Sequence, residues 1–173
     1  MNTLAAKHLP ATPYSLFDQM AEQLLDQGFR ISHQDRARPW GGFFVIAEAQ
    51  AQHFADVYFE GLPVEALRIA GPLSPMLVLV APHQRLSWQY HRRRAEVCRV
   101  LRGPVGLATS PTDAEGPLQT LQSGQQISLC PGERHRLVGL DDWSVLAEIW
   151  QHTDAQHPSD EADIVRVQDD FGR

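Results

Sequence analysis

The C-terminal part of this 173-residue chain carries the feature that most restricts its fold. From residue 66 onward, apolar residues recur at every second position in short runs that Gly, Pro, Asp and Ser separate. A period of two places successive side chains on opposite faces of a strand, and turn residues end each strand. Runs such as 66–70, 76–82, 85–91 and 143–151 therefore predict an all-β sandwich or barrel.

Two helices are expected before these strands. Residues 12–28 carry apolar side chains at helical spacing, with Thr12 as a helix start, and residues 48–61 show a shorter pattern of the same kind. A chain of this length is most simply a single domain. We expect residues 1–61 to form a helical extension packed on a barrel of residues 62–173.

Composition excludes several classes of function. The net charge of −6 argues against a nucleic-acid partner, which needs a basic surface. No apolar run is long enough to span a membrane, and the N-terminal residues lack the apolar core of a secretion signal, so a cytoplasmic location is the default expectation. The single lysine, Lys7, makes Schiff-base chemistry a poor hypothesis, so positive charge at a site must come from arginine.

The predicted strand 85–91, "RLSWQYH", is unusual because one of its faces is polar. Strand alternation places Leu86, Trp88 and Tyr90 together on the apolar face. It places four residues together on the other face, where they can line a cup inside the barrel: Arg85, Ser87, Gln89 and His91.

Two further residues extend this polar face into a candidate metal site. Glu96 begins the next predicted strand, within reach of His91 across a hairpin, and His135 follows a Pro-Gly turn at the start of another strand. Imidazole, carboxylate and amide oxygen are ligands for divalent metals of intermediate hardness. We predict that Gln89, His91, Glu96 and His135 bind one metal ion.

The spacing of these residues resembles the two motifs of the cupin superfamily. In the first motif, Gln89 stands at the position of the first histidine, His91 is the second, and Glu96 follows after four residues. In the second, Gly132 and His135 have the expected separation. The resemblance implies a cupin double-stranded β-helix, or jelly roll, with the two N-terminal helices outside it.

A narrower resemblance implies an activity. The segments "LSWQYHRRRAE", "PGERHRL" and "DIVRVQDDFGR" are similar to the cupin domain of type II mannose-6-phosphate isomerases. This similarity covers residues 36–173 and implies a homodimeric, metal-dependent aldose–ketose isomerase for a sugar phosphate. Zinc is the first candidate for the metal, with Mn, Co, Ni or Fe as alternatives. The sequence departs from the family where Ser74 and Met76 replace two lysines, and where Arg92 and Arg93 replace two histidines.

The remaining candidate residues follow from the resemblance and from the strand pattern. Glu148 is an isolated carboxylate in an apolar strand, which suits either a catalytic base or the partner of a buried arginine. Trp40 is either a core anchor or a wall of the cup. Arginines that match the family pattern are expected to bind phosphate or an oxyanion: Arg94, Arg136 and Arg173, with Arg94 and Arg173 in catalytic roles.

Two alternatives to an isomerase stay open. A cupin can bind a sugar without turning it over, and the missing lysines favour this alternative. A metal-dependent dioxygenase is the other, although redox iron sites prefer more imidazole ligands than this sequence offers. A cupin fold does not decide among these, because function depends on the site.

Overall fold

The structure is a computed structural model that describes residues 13–173, with side chains from Leu16 onward. The predicted helix start at Thr12 and the single lysine, Lys7, lie outside the described residues. This part of the chain forms two α-helices and eleven strands: α1 (Pro13–Asp26), β1 (Ile31–Arg38), β2 (Gly41–Ile46), α2 (Ala51–Tyr58), β3 (Met76–Val80), β4 (Trp88–His91), β5 (Arg94–Arg102), β6 (Val105–Ser110), β7 (Leu118–Leu121), β8 (Gln126–Leu129), β9 (Arg134–Gly139), β10 (Ser144–His152) and β11 (Ile164–Gln168).

The strands form two antiparallel sheets. One has six strands in the order β1-β2-β3-β10-β5-β8, and the other has five in the order β11-β4-β9-β6-β7. Strands that are consecutive in the chain repeatedly belong to different sheets, as in a jelly roll. The all-β prediction with two N-terminal helices is therefore confirmed.

The central strands of the six-stranded sheet, β3 and β10, are covered on both faces. Alternate residues of β3 and β10, such as Leu77, Leu79 and Val145, belong to a core cluster shared with Phe17 of α1 and Phe54 of α2. Because both faces are buried, β3 is a continuous apolar run rather than an alternating one. The helices thus cover the outer face of the sheet. The other alternate residues of β3 and β10 point into the barrel.

A second core cluster fills the barrel interior. Val78, Val100, Leu107 and Leu146 are among its buried members. Gly139 of β9 allows the close approach of the Ala81 backbone, because a Cβ atom at this position would overlap the carbonyl oxygen of Ala81. The polar residues of the site are therefore inserted into an apolar barrel lining.

Three expectations are corrected by the structure. Residues 66–70 form no strand, because Arg68 pairs with Glu48 and Glu65 and the segment is a 3₁₀ turn followed by a loop. The β4–β5 connection is not a hairpin, since the two strands belong to different sheets. In the first helical pattern, Leu25 is 61% exposed rather than buried.

The boundary predicted at residue 61 stays a prediction. In the structure, β1 and β2 extend the six-stranded sheet through the β2–β3 pair. Within residues 13–173, no helix is long and apolar enough to cross a membrane.

Candidate metal centre and cavity

Three strands bring the predicted metal ligands together inside the barrel. His91 ends β4, Glu96 lies on β5, and His135 lies near the start of β9. All three side chains are buried. They converge because the short turn after His91 carries the chain from one sheet to the other, while Gly132 N–H donates to the carbonyl oxygen of His91 at 2.7 Å.

The turn between β4 and β5 is fixed by a buried carboxylate. Asp163 accepts hydrogen bonds from the backbone N–H groups of Arg92 and Arg93, at 3.2 and 3.1 Å. It also accepts the Ser159 hydroxyl at 2.6 Å. This network holds the position of His91 relative to β5.

The ligand atoms of the three residues form a compact group. His91 Nε2 lies 3.3 Å from Glu96 Oε1, and His135 Nε2 lies 3.7 Å from Glu96 Oε2. The three ligand atoms all lie within 4.8 Å of one another. His135 Nδ1 is 3.0 Å from the carbonyl oxygen of Glu133, which fixes the tautomer whose Nε2 lone pair faces Glu96.

The charge states of His91 and Glu96 suit a bound cation. Burial, only partly offset by the charge of Glu96, lowers the pKa of His91 to about 4, so its imidazole is neutral at physiological pH. Burial opposes ionisation of Glu96, but the charge and hydrogen bond of the neighbouring Arg94 guanidinium favour the carboxylate, and the pKa of the Glu96 carboxyl is lowered. A neutral imidazole and an ionised carboxylate are the forms that coordinate metals.

Arg94 inserts its guanidinium into the same group of atoms. Its Nη2 lies 2.7 Å from His91 Nε2 and 2.8 Å from Glu96 Oε1. The guanidinium also lies 3.5 Å above the Trp150 ring. The positively charged guanidinium of Arg94 therefore contacts the same lone pairs of His91 and Glu96 that a metal ion would use.

The donor set nevertheless fits a divalent ion. Two imidazole nitrogens and a carboxylate at these separations form three ligands of a mixed N/O site, and the Glu133 carbonyl orients one of them. A metal bound there requires Arg94 to release His91 Nε2. His91, Glu96 and His135 are therefore the residues that could hold the metal.

The amide of Gln89 lies near the cluster but has another hydrogen-bond partner. It pairs with His135 in register and lines the same cavity, as the strand pattern predicts. Its amide oxygen, however, accepts the hydroxyl of Ser87 at 2.5 Å. Its role as a fourth ligand stays a prediction.

Glu148 on β10 lies beside the cluster. Its carboxylate, the Cys98 thiol and Glu96 have ligand atoms within 4.8 Å of one another, and all three residues are buried. Burial, together with the charge of Glu96, raises the pKa of Glu148 to about 8. Among residues 13–173, no arginine nitrogen lies within 4 Å of its carboxylate, so the geometry does not make it the partner of a buried arginine.

Two adjoining cavities open onto these residues. The first, named here the core chamber, has a volume of about 350 Å³ and is lined by Glu96, Cys98, His135 and Glu148 together with apolar side chains. The second, the arginine chamber, has a volume of about 370 Å³. Its basic lining residues are Arg38, Arg94, Arg166 and Arg173.

Several residues line both chambers. Trp40 packs in the interior core and also forms a wall of both chambers, so it fulfils both alternatives considered for it. Ser87 is buried and lines both chambers, and the partly buried Trp150 also lines both. Leu86, expected on the opposite face of its strand, lines the chambers too, because regular pairing begins only at Trp88.

The other predicted arginines lie in different surroundings. Arg85 is 39% exposed, pairs with Asp170, and lines neither chamber, so the structure does not bring it to the site. Arg136 is fully buried, lines the core chamber, and pairs with Glu115 at 2.9 Å. Arg173 reaches the arginine chamber and pairs with Asp169 at 3.0 Å.

Sequence reasoning missed Arg166 of β11. The pattern "IVRVQ" places Arg166 and its valine neighbours on opposite faces, but it does not say which face meets a cavity. Trp150 was missed for a similar reason, because an aromatic residue in a buried strand gives no signal of a cavity.

Comparison with known proteins supports the fold. No family model and no curated protein matches the sequence. CapF from Staphylococcus aureus, a capsular polysaccharide assembling protein, is similar in structure with a TM-score of 0.52 and 12% identity, over 81% of this chain and 34% of that one. A variant of Bacillus subtilis oxalate decarboxylase has a TM-score of 0.53 and 13% identity, over 78% of this chain and 30% of that one.

These similarities, together with the two sheets, show the cupin fold. The chain spans about a third of the length of the proteins it resembles. Inside that fold, a buried His–Glu–His cluster that could hold a metal ion opens onto a cavity.

Proposed function

We propose that this protein is a divalent-metal-dependent aldose–ketose isomerase that acts on a sugar phosphate, similar to mannose-6-phosphate isomerase. The observation that carries the proposal is the juxtaposition of the His91–Glu96–His135 cluster with the buried carboxyl of Glu148 at one cavity. The motif resemblance of this sequence adds to it. A cavity of about 350 Å³ is large enough for a small sugar derivative.

Isomerisation between an aldose and a ketose moves a proton from one carbon to its neighbour. A divalent ion held by the cluster would act as a Lewis acid on the sugar oxygens. The chain itself must provide a base, and Glu148 is the buried carboxyl of the core chamber outside the ligand set, whereas Glu161, which also lines the chamber, is exposed. Burial raises the pKa of Glu148 to about 8, so this carboxyl, once it has lost its proton, is a stronger base than an exposed glutamate.

The first experiment measures metal and turnover together. Protein reconstituted with Zn²⁺ and, separately, with Mn²⁺ or Co²⁺ should contain about one ion per chain by mass spectrometry. It should also convert mannose 6-phosphate or another hexose or heptose phosphate to the ketose. His135→Ala should lose both properties. His157→Ala is the matched control, because His157 is exposed and far in the chain from the ligands.

A second candidate function has one observation in its favour. Arg94 already supplies positive charge to His91 and Glu96, so the barrel is electrostatically satisfied without a metal. A non-catalytic sugar-binding cupin is consistent with this arrangement. Wild-type protein that stays metal-free after reconstitution, yet binds a sugar phosphate, would favour this alternative and overturn the isomerase.

The quaternary structure and the location belong to the same proposal. We expect a cytoplasmic homodimer, and light scattering during size-exclusion chromatography measures its mass directly.

A further inference from the structure

We infer that Arg166 forms, with the arginine chamber, a binding site for the anionic group of a small polyhydroxy ligand. The inference deepens the proposed function. It rests on that function for one point, that the ligand is a sugar derivative. It concerns recognition of the charged end of the ligand, a task separate from metal binding and from proton transfer.

Arg166 points toward the chamber because of strand register. It pairs with Gln89 across the β4–β11 contact, and paired residues of neighbouring strands project from the same face of a sheet. Gln89 and Arg166 both line the arginine chamber. The guanidinium thus shares a cavity with His91, the metal-ligand candidate that ends β4.

Arg166 differs from the other arginines of the chamber because its charge has no carboxylate neighbour among the described residues. Each of the other three has a carboxylate neighbour: Arg38 lies 2.9 Å from Asp35, Arg94 lies 2.8 Å from Glu96, and Arg173 lies 3.0 Å from Asp169. In the described part of the chain, no carboxylate oxygen lies within 4 Å of a side-chain nitrogen of Arg166. Asp160 and Glu161 also line the chamber without pairing with it.

Burial makes this lack of a partner significant. The Nε atom of Arg166 is buried and has no hydrogen-bond acceptor. An exposed arginine, such as Arg92, can leave its N–H groups to water, whereas a buried donor without an acceptor costs about 1–3 kcal/mol. The planar fork of arginine matches the oxygen atoms of a phosphate or a carboxylate. An anionic group bound in the chamber would therefore pair with the guanidinium of Arg166, whose charge has no carboxylate neighbour in the described part of the chain.

The two sources of such an anion are a phosphate ester and a sugar carboxylate. Binding is measured by isothermal titration calorimetry on chelator-treated protein, so that neither metal nor turnover contributes. The probes are mannose 6-phosphate, glucuronate and mannose, used on wild type, Arg166→Gln and Arg92→Gln. Arg92 is the matched control, because it is exposed and lines neither chamber.

The inference expects wild type to bind at least one anionic probe more tightly than mannose. Arg166→Gln should weaken that binding tenfold or more, and Arg92→Gln should change it less than twofold. Wild type that binds no anionic probe, Arg166→Gln with wild-type affinity, or an equal loss in Arg92→Gln would each overturn it. Near-ultraviolet circular dichroism of both variants shows that the fold is kept.

This experiment separates the inference from the proposed function. Binding of glucuronate but not of mannose 6-phosphate supports the Arg166 site and removes the sugar phosphate from the proposal. Binding of mannose 6-phosphate without isomerisation in the metal-loaded protein supports the site and removes the isomerase.

Discussion

Replacement of Arg94 by methionine tests whether its guanidinium competes with a metal ion. The variant keeps a long side chain against Trp150 and removes only the positive charge and its hydrogen bonds. In metal-free protein, Glu96 then becomes a buried carboxylate without its arginine. Removing one partner of a buried pair costs about 3–5 kcal/mol.

The metal-loaded protein should respond in the opposite direction. Two unit charges about 4 Å apart interact with about 4 kcal/mol at an effective dielectric constant of about 20, and a divalent ion doubles the repulsion from the guanidinium. Movement of Arg94 away from His91 reduces this figure, so we expect a gain of at least about 1.4 kcal/mol, or tenfold tighter Zn²⁺ binding. Metal should therefore restore much of the lost stability in Arg94→Met.

Two measurements check both halves of this prediction. Thermal unfolding without metal should show a lower Tm for Arg94→Met, by about 6–20 °C for a chain of this size. Titration of Zn²⁺ against a competing chelator should show the tighter binding, and saturating Zn²⁺ should raise the Tm of Arg94→Met more than that of wild type. Arg92→Met, exposed on the adjoining turn, is the control. Zn²⁺ binding by Arg94→Met that is equal to or weaker than wild type would refute the reasoning.

Three further substitutions give sharp expectations. In metal-free protein, Glu148→Gln should raise the free energy of unfolding, and by more at pH 8 than at pH 5. The unfolded chain ionises Glu148 near its ordinary pKa of 4.5, whereas the folded chain retains the proton until about pH 8. The stability of the wild type therefore falls as the pH rises through this window, by on the order of 3 kcal/mol, and the variant escapes this loss. Urea unfolding at both pH values measures the difference, and an equal effect at the two would contradict it. Asp163→Ala should cost about 2–3 kcal/mol in urea unfolding, because it leaves two backbone N–H groups and the Ser159 hydroxyl without their acceptor; an unchanged midpoint is the contrary result. Gly139→Ala should unfold at a lower temperature than Gly132→Ala. The Cβ at position 139 overlaps the backbone of Ala81, whereas alanine at position 132 meets open space and carries only the strain of a φ of +79°; equal Tm values would contradict this account.

The sequence could predict which side chains share a face, because alternation is a local property of a strand. It placed Gln89 and His91 on one face and predicted a site with Glu96 and His135, and the structure brings these residues to one region of the barrel. It could not predict which sheet each strand joins. For that reason the expected hairpin between β4 and β5 is instead a change of sheet.

Contacts between distant parts of the chain were beyond the sequence pattern. Arg85 continues the alternation of its strand, yet it pairs with Asp170 at the far end of the chain and leaves the cup. Arg94, assigned a catalytic role through resemblance, lies among the metal-ligand candidates themselves. The long-range packing that decides such positions has no signature within a few residues.

The pairing of β2 with β3 has a consequence for how this protein can be shortened. Every residue of β3 is buried, and β2 covers one of its edges. A fragment that begins at residue 62 would present an unpaired, wholly apolar strand edge to solvent and would lose Trp40 and Phe43 from the cavity wall. Such an edge is a template for addition of further strands. The fragment should therefore assemble into aggregates rather than behave as a minimal barrel, so the hairpin at the start of the fold protects the protein against self-association.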